Sequence, residues 1–375
     1  MSVLLPDLAG GGAERVMLTV AGGLASAGAD VRLLLGAATG PLLDLVPAGV
    51  VVEALGGAHV RDVVPRLARH LRHDRPHCLL STLDHANVAA LAANAVAGSP
   101  TSVAVRVANT MSEVATAEPS GKDRLTLLAA RRLYPRASAV IAPSQGVADD
   151  LEEFVGPRIR PLLRVIPNPV VGADLAARAA APLEHPWFAA GQPPVLLSVG
   201  SLTAKKNFGL LLQAAAALRG RHQVRTLILG EGPERAGLES LAVRLGLRLG
   251  EDVGLPGWVP DPYPYLARCA VYVLASDREG LPGALIQALA CGARVVATDC
   301  RSGPGEVLDG GRLGRLVPVG DAAAMTAALR DTLVERAAGV RPADPTAWLG
   351  RYTEAGSVAA YVRLVDELAA LGARV

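Results

Sequence analysis

EGLPGALIQALACGARVVATD, residues 279–299, is the stretch from which the fold is read. Residues 269–275 before it form a short apolar run with strand character. SDREGLP (276–282) then makes a polar turn, with Gly280 inside it and Pro282 where a helix should begin. Proline in a first helical turn gives up only an N–H that had no partner. The spacing predicts a helix over 282–290, closed by Cys291-Gly292 with glycine as the C-terminal cap. A second apolar strand is expected over 294–298. Strand, tight loop, helix and strand make one βαβ unit, whose loop sits at the carboxyl end of its strand, where open α/β sheets bind ligands. Unpaired N–H groups at that helix start attract an anion such as phosphate. Glu279 and Gln287 add groups that bind hydroxyls. The unit is expected to hold a ligand bearing phosphates and hydroxyls.

Outward from this unit the same alternation continues. Apolar runs at 2–5, 31–35, 50–52, 78–81, 102–107, 139–141 and 165–166 are separated by helical patterns, such as 13–27 and 87–97. That order implies an α/β fold with a parallel sheet covered on both faces. Prolines then crowd together at 167, 169, 182, 186, 193 and 194, as expected of an interdomain linker. A second alternating series runs from 195 to 319. The tail, 345–375, is helical by pattern, with Val358, Tyr361, Val362, Val365 and Leu368 on one side. A chain of 375 residues accommodates two such domains, each with its own core.

Composition narrows the classes. The formal charge of +2 implies no polyanionic partner, and aromatics at 3% argue against stacking platforms for nucleic acid. The four cysteines show no C-x-x-C pattern, which fits small buried side chains in a reducing compartment. Asp7 and Gly10 interrupt the first apolar run, so no secretory signal is expected. The longest uncharged run, 87–105, is broken by Gly98-Ser99-Pro100, so no membrane span is expected. The expected location is cytoplasmic.

An E-G-[FL]-P motif followed eight positions after its acid by a second acid is the signature of retaining glycosyltransferases of family 4, with the GT-B fold. This chain resembles them, with Glu279 as the first acid and Gln287 where a glutamate is usual. The resemblance extends to PDLAGGGAERVM (6–17), AVIAPSQGVADDL (139–151) and VIPNPV (165–170). It continues through LSVGSLTAKKNF (197–208), LILGEGPER (227–235) and TDCRSGPGEVLDGGRLGRLVPVGD (298–321). It implies two Rossmann-like parallel-sheet domains facing a cleft. Residues 1–170 would form an acceptor domain and 171–193 a linker. Residues 194–344 would form a nucleotide-sugar domain, and 345–375 a helix packing back towards the first domain. The implied activity is transfer of a sugar from a nucleotide-sugar, a UDP-sugar for preference, to a hydroxyl acceptor. Candidate acceptors are a lipid-linked or polysaccharide intermediate, or a small natural product.

Of 37 cationic side chains only Lys122, Lys205 and Lys206 are lysines. An ammonium at a helix N-terminus suits a phosphate. In the pattern G-x-L-x-x-x-K-N, matched by residues 200–207, Lys206 takes the place of the family's diphosphate-binding lysine. The family's arginine after this strand is replaced by Ser201, which leaves open whether Lys205 substitutes for it. By the same resemblance Glu279 binds donor-sugar hydroxyls near the reacting carbon, position 287 meets the ribose, and the Gly280 and Leu281 amides face the diphosphate. Glu306, after the turn at Gly303, either orients the cleft or caps its helix. Three glycines in GGGAER (10–15) allow positive φ and close backbone approach, and Gly11 and Gly12 would line the cleft. This loop is no dinucleotide fingerprint and no Walker lysine follows it. His85 and Asn87, after the strand 78–81, point to the acceptor side. Asn109 stands where some family members have a histidine. No D-x-D pair occurs, so the expected chemistry needs neither a metal nor a cofactor.

The stretch 61–77 carries Arg61, Arg66, Arg69, Arg72 and Arg75, with Val63, Leu67 and Leu71 on another face. A basic amphipathic helix of this kind can lie on an anionic membrane, and an arginine-bearing surface helix is the plainer reading. Peripheral membrane contact stays open on this basis. Two rival functions remain. One is a catalytically silent sugar-nucleotide-binding protein, suggested by Ser201, Asn109 and Gln287 together. The other is a nucleotide-sugar epimerase or phosphorylase of the same fold, against which the sparse histidines and carboxylates count.

Overall fold

The structure is a computed structural model that describes residues 1–57, 60–116, 120–220 and 222–372. It divides into two compact units, 1–169 with 351–375 and 170–350. The first unit runs β1 (Ser2–Leu5), α1 (Gly12–Ser26), β2 (Val31–Leu35), β3 (Val50–Ala54), α2 (Val60–Asp74), β4 (Cys78–Thr82) and α3 (Asp84–Ala97). It continues with β5 (Ser102–Arg106), α4 (Met111–Thr116), α5 (Gly121–Leu133), β6 (Ala139–Ala142), α6 (Gln145–Val155) and β7 (Leu163–Val165). The second unit holds α7 (Leu175–Ala180), β8 (Val195–Val199), α8 (Phe208–Leu218), β9 (Arg225–Leu229), α9 (Arg235–Arg244), β10 (Val253–Gly257) and α10 (Tyr263–Arg268). Then follow β11 (Val271–Leu274), α11 (Gly283–Ala290), β12 (Val295–Thr298), α12 (Pro304–Val307), β13 (Arg315–Val317), α13 (Ala322–Ala337) and α14 (Thr346–Leu349), before α15 (Glu354–Gly372) returns to the first unit.

Each unit is a doubly wound, wholly parallel sheet. The first has seven strands in the order β3-β2-β1-β4-β5-β6-β7, the second six in the order β10-β9-β8-β11-β12-β13. The strand order reverses between β1 and β4 and between β8 and β11, which makes these two places the topological switch points. Side chains alternate across a strand, so both faces must be apolar when helices cover both. In the first unit Val3, Leu5, Leu33 and Leu35 pack under α1 and α15, while Leu4, Leu34, Leu79 and Val105 pack under α2, α3 and α6. In the second, Leu196, Ile228, Val271 and Val273 meet Leu211 of α8 and Met325 and Leu329 of α13.

Two elements differ from the sequence reading. Pro282 is the cap of α11 rather than its first residue, because its ψ of 91° is still extended. Residues 171–193, read as a linker, belong to the second unit. There α7 packs on α10, and Arg268 donates to the carbonyls of Ala179 at 3.1 Å and Ala181 at 2.8 Å. His185, Trp187, Phe188 and Tyr265 form an edge-to-face ring cluster. The chain therefore passes between units at 169–170 and again at 350–351.

On the basic helix α2, the apolar side chains Val63, Leu67, Ala68 and Leu71 are buried in the core that includes Ala90 and Leu91 of α3. Arg66 donates to the carbonyl of Leu55 at 2.7 Å, and Arg72 to that of Val96. A helix whose apolar stripe is already buried has none left for a bilayer, so the membrane reading of this stretch does not hold for its described side chains. The Arg61 side chain lies outside the described residues. No helix among the described residues is long and apolar enough to cross a membrane.

Candidate functional site

At the switch point of the second sheet, the turn after β8 and the turn after β11 are tied together. Asn207 adopts a left-handed conformation (φ 42°), caps α8 by accepting from the Leu210 amide, and donates to Asp277 Oδ1 at 2.7 Å. The Asp277 amide donates to the Lys205 carbonyl at 2.9 Å. These bonds bring Lys206 to Glu279. Lys206 Nζ lies 2.5 Å from Glu279 Oε1, and Ser276 Oγ donates to the same oxygen at 2.7 Å. The side chains are 18% and 8% exposed, so this is a largely desolvated ion pair whose carboxylate has a second donor. Removing one member of such a pair leaves an uncompensated charge, which makes the pair a poised cation and anion rather than a surface ornament.

The Glu279 carbonyl accepts from Ser302 Oγ, which reaches it from the turn after β12. Gly303 in that turn has φ 93°, and a Cβ there would sit 2.5 Å from Pro282 Cδ. Only glycine lets the two turns approach so closely. The start of α11 has no side-chain cap, and among the described residues nothing accepts from the Gly283 and Ala284 amides. An ammonium, a carboxylate and free helix-start amides thus converge where the backbone dipoles of α11 favour an anion.

The other expected donor residues sit around this centre. Ser201 and Lys205 are exposed, and Gly280 and Leu281 form the turn itself. Gln287 donates through Nε2 to Tyr263 Oη at 3.1 Å, and Arg178 lies 4.3 Å above the Tyr263 ring while binding Asp261 at 3.1 Å. Burial raises the Tyr263 pKa. Glu306 is half-buried on α12, and its carbonyl accepts from Trp348 Nε1 at 3.2 Å.

In the first unit the glycine loop follows β1 and His85 follows β4, at that sheet's switch point. Gly11 and Gly12 are exposed. Of the three glycines only Gly10 takes positive φ, at 108°, while Gly11 is an extended cap of α1. The Glu14 carboxylate lies against Gly11, where it offers negative charge to the helix start. His85 is half-buried in the first turn of α3, after Leu83, whose φ of 74° is unusual for a branched residue. Burial lowers the His85 pKa, Lys122 lowers it further, and Asp84 and Asp7 oppose them. Burial raises Asp84. Asn109 is exposed.

Asn87 does not face a ligand. It is fully buried, accepts from Ser81 Oγ at 2.7 Å, and donates to the Arg106 carbonyl at 3.0 Å and to Tyr134 Oη at 3.3 Å. With its amide occupied by protein groups, it locks β4 to β5 as a satisfied core amide. Sequence reasoning missed Ser276, Ser302 and Tyr263. The serines were visible in SDREG and RSGPG beside the acid, but single hydroxyls in turns carry too little signal to be chosen.

Two family descriptions match the chain: "Glycosyl transferase 4-like domain" over residues 11–169 and "Glycosyl transferases group 1" over 193–335. Among curated proteins, it is 32% identical over 203 residues to the N-acetylgalactosamine-N,N'-diacetylbacillosaminyl-diphospho-undecaprenol 4-alpha-N-acetylgalactosaminyltransferase of Campylobacter jejuni, covering 54% of this chain and 52% of that protein. It is 28% identical over 234 residues to the lipopolysaccharide core biosynthesis glycosyltransferase LpsE of Rhizobium meliloti, covering 62% and 65%. The chain thus spans about half to two thirds of the length of these relatives. Among solved structures, HepE of Anabaena in complex with UDP superposes with a TM-score of 0.76 at 20% identity, over 98% of this chain and 100% of that one. WaaG, described as involved in lipopolysaccharide biosynthesis, superposes with a TM-score of 0.67 at 17% identity, over 98% and 99%. At such identities the superpositions speak for the fold.

Proposed function

The chain belongs to the GT-B glycosyltransferases of the family 4 type, and we propose that it moves a sugar from a nucleoside diphosphate sugar to a hydroxyl with retention at the anomeric carbon. A UDP-sugar is the donor of choice, by analogy with HepE, which was solved with UDP and with UDP-glucose. The acceptor is a lipid-linked or polysaccharide intermediate, by analogy with the diphospho-undecaprenol and lipopolysaccharide-core relatives. The second unit takes the donor and the first takes the acceptor.

The observation that carries this reading is the pairing of Lys206 with Glu279 beside the uncapped start of α11. A diphosphate at the helix start would draw Lys206 towards it, and Glu279 would then accept from sugar hydroxyls. Ser276 keeps Glu279 in place through the exchange. Charge grows on the diphosphate as the glycosidic bond breaks, and a fixed ammonium with helix-start amides stabilises that charge more than the ground state. The leaving diphosphate oxygen takes the acceptor proton on the same face of the sugar, which gives retention without a covalent nucleophile. Positioning two reactants supplies the remainder of the acceleration.

Donor turnover in excess EDTA, with the product anomer read by proton NMR, tests the proposal. The expected result is undiminished turnover and an α-linked product from an α-linked donor. Loss of activity on chelation restored by Mn²⁺ would overturn the metal-free mechanism, an inverted product would overturn retention, and failure to release UDP with any acceptor would favour the silent binding protein.

A further inference from the structure

Tyr263 opens α10 and is buried, with only its phenol oxygen left to choose a partner. Its amide donates to Asp261 Oδ1 at 3.0 Å. Arg178 of α7 lies over its ring, 4.3 Å from the centroid, and the same guanidinium is held by Asp261 at 3.1 Å and Asp174 at 3.4 Å. A planar guanidinium that covers a ring and is itself tied to two carboxylates holds that ring in one place. The phenol oxygen is therefore a fixed point, and there it accepts from Gln287 Nε2 at 3.1 Å. Among the described residues no group donates to Gln287 Oε1. Gln287 lies four residues after Gly283 and three after Ala284, so the three share one face of α11. All three are half-buried, whereas Leu285, Ile286, Ala288 and Leu289 are buried. Gln287 thus stands about one turn, roughly 5.4 Å, beyond the amides that have no acceptor, and helix side chains lean back towards the N-terminus.

We propose that Tyr263 is a positioning residue for the nucleotide: by accepting from Nε2 it fixes the Gln287 amide so that Oε1 accepts from a ribose hydroxyl next to the bound diphosphate. The inference rests on the reading that the start of α11 holds a nucleoside diphosphate. In such a ligand the ribose follows the diphosphate directly, which is the spacing between the free amides and Gln287. A carboxylate has two accepting oxygens and serves a hydroxyl whichever way it turns. A primary amide has one accepting end and one donating end, so it needs a partner that selects between them. Tyr263 supplies that partner, and Arg178 acts through Tyr263. This gives α7 a part in recognition, although it lies in the proline-rich segment that the sequence marks as a linker.

A double-mutant cycle read by calorimetry tests this, with UDP and its dideoxyribose analogue as the two probes. The proteins are the parent chain, Tyr263→Phe, Gln287→Glu and the double variant, each shown to be folded by its melting temperature. Tyr263→Phe keeps the ring under Arg178 and removes only Oη. It should weaken UDP about fivefold, the worth of one neutral hydrogen bond, and leave the dideoxyribose analogue bound as before. In the Gln287→Glu background the same change should shift UDP by less than about twofold, because the two side chains are coupled only through the amide. Arg178→Gln, which uncovers the ring and spares Oη, should weaken UDP in the same direction and the analogue not at all. A Tyr263→Phe chain that binds UDP like the parent would overturn the inference. So would equal weakening of both probes, or equal weakening of UDP in both backgrounds, since either would make Tyr263 a packing residue only. A parent chain that binds no UDP would instead remove the functional reading itself, and this inference with it.

Discussion

Gln287 stands where the family places a glutamate, and its amide donates to Tyr263 Oη at 3.1 Å. A carboxylate at this position would accept both from the phenol and from a ribose hydroxyl, and charge-assisted hydrogen bonds are the stronger kind. Gln287→Glu should therefore tighten UDP binding by about 1 kcal/mol, roughly fivefold in Kd. An unchanged calorimetric Kd would show that position 287 does not meet the nucleotide. Residue by residue, the sequence was most legible where chemistry is rare. Three lysines in the chain made Lys206 conspicuous, and its contact with Glu279 follows from two turns at one switch point. Asn87 was misjudged because three residues of helix separate a loop-facing side chain from one turned into the core, and nothing in STLDHAN tells the two apart.

At the scale of elements, the site depends on three turns at the carboxyl ends of β8, β11 and β12. Gly303 is where two of them touch, with φ 93° and no room for a Cβ against Pro282. Gly303→Ala should cost about 1–3 kcal/mol in stability. It should also raise donor KM, since Ser302 would no longer reach the Glu279 carbonyl. A variant with the parental melting temperature and KM would show that the turn is loose. β1, β4, β6, β11 and β12 were readable because they are buried along their whole length, so each appears as a mostly apolar run, whereas β10 reads VGLPG and is buried only at its ends. The segment 171–193 was not readable as part of a domain. Proline density marks where the chain turns, not which core it joins, and that was settled by Arg268 holding the end of α7 and by rings meeting over long sequence separation.

For the whole molecule, the order of motifs conveyed two Rossmann-like units, whereas membership of a unit depends on contacts that no local pattern records. The return of α15 to the first unit, through Tyr361, Leu364 and Leu368, is what the family resemblance implies for residues 345–375, while the local pattern of the tail says only that it is helical. Stability should also depend on pH in a defined direction. His70, His85 and His185 all have lowered pKa values, burial being the largest cause in each. The unfolded chain then binds more protons near its own value of about 6.5. The stability these residues contribute is complete above about pH 6.5 and is lost as pH falls through the folded values. Asp84, raised by burial, acts in the opposite sense and blunts the fall. Melting temperature should hold between about pH 8 and 7 and drop below about 6.5, with His70→Asn flattening the curve; a melting temperature that rises on acidification would contradict this. The central claim is that the second unit holds the donor diphosphate through Lys206. Calorimetric titration of UDP and of uridine into the parent chain, Lys206→Ala and Lys205→Ala, each shown to be folded, tests it most directly. The account predicts that Lys206→Ala weakens UDP by about tenfold or more, roughly 1.4 kcal/mol, while uridine is bound alike by all three and Lys205→Ala resembles the parent. UDP bound equally by the parent and Lys206→Ala, or by neither, would contradict it.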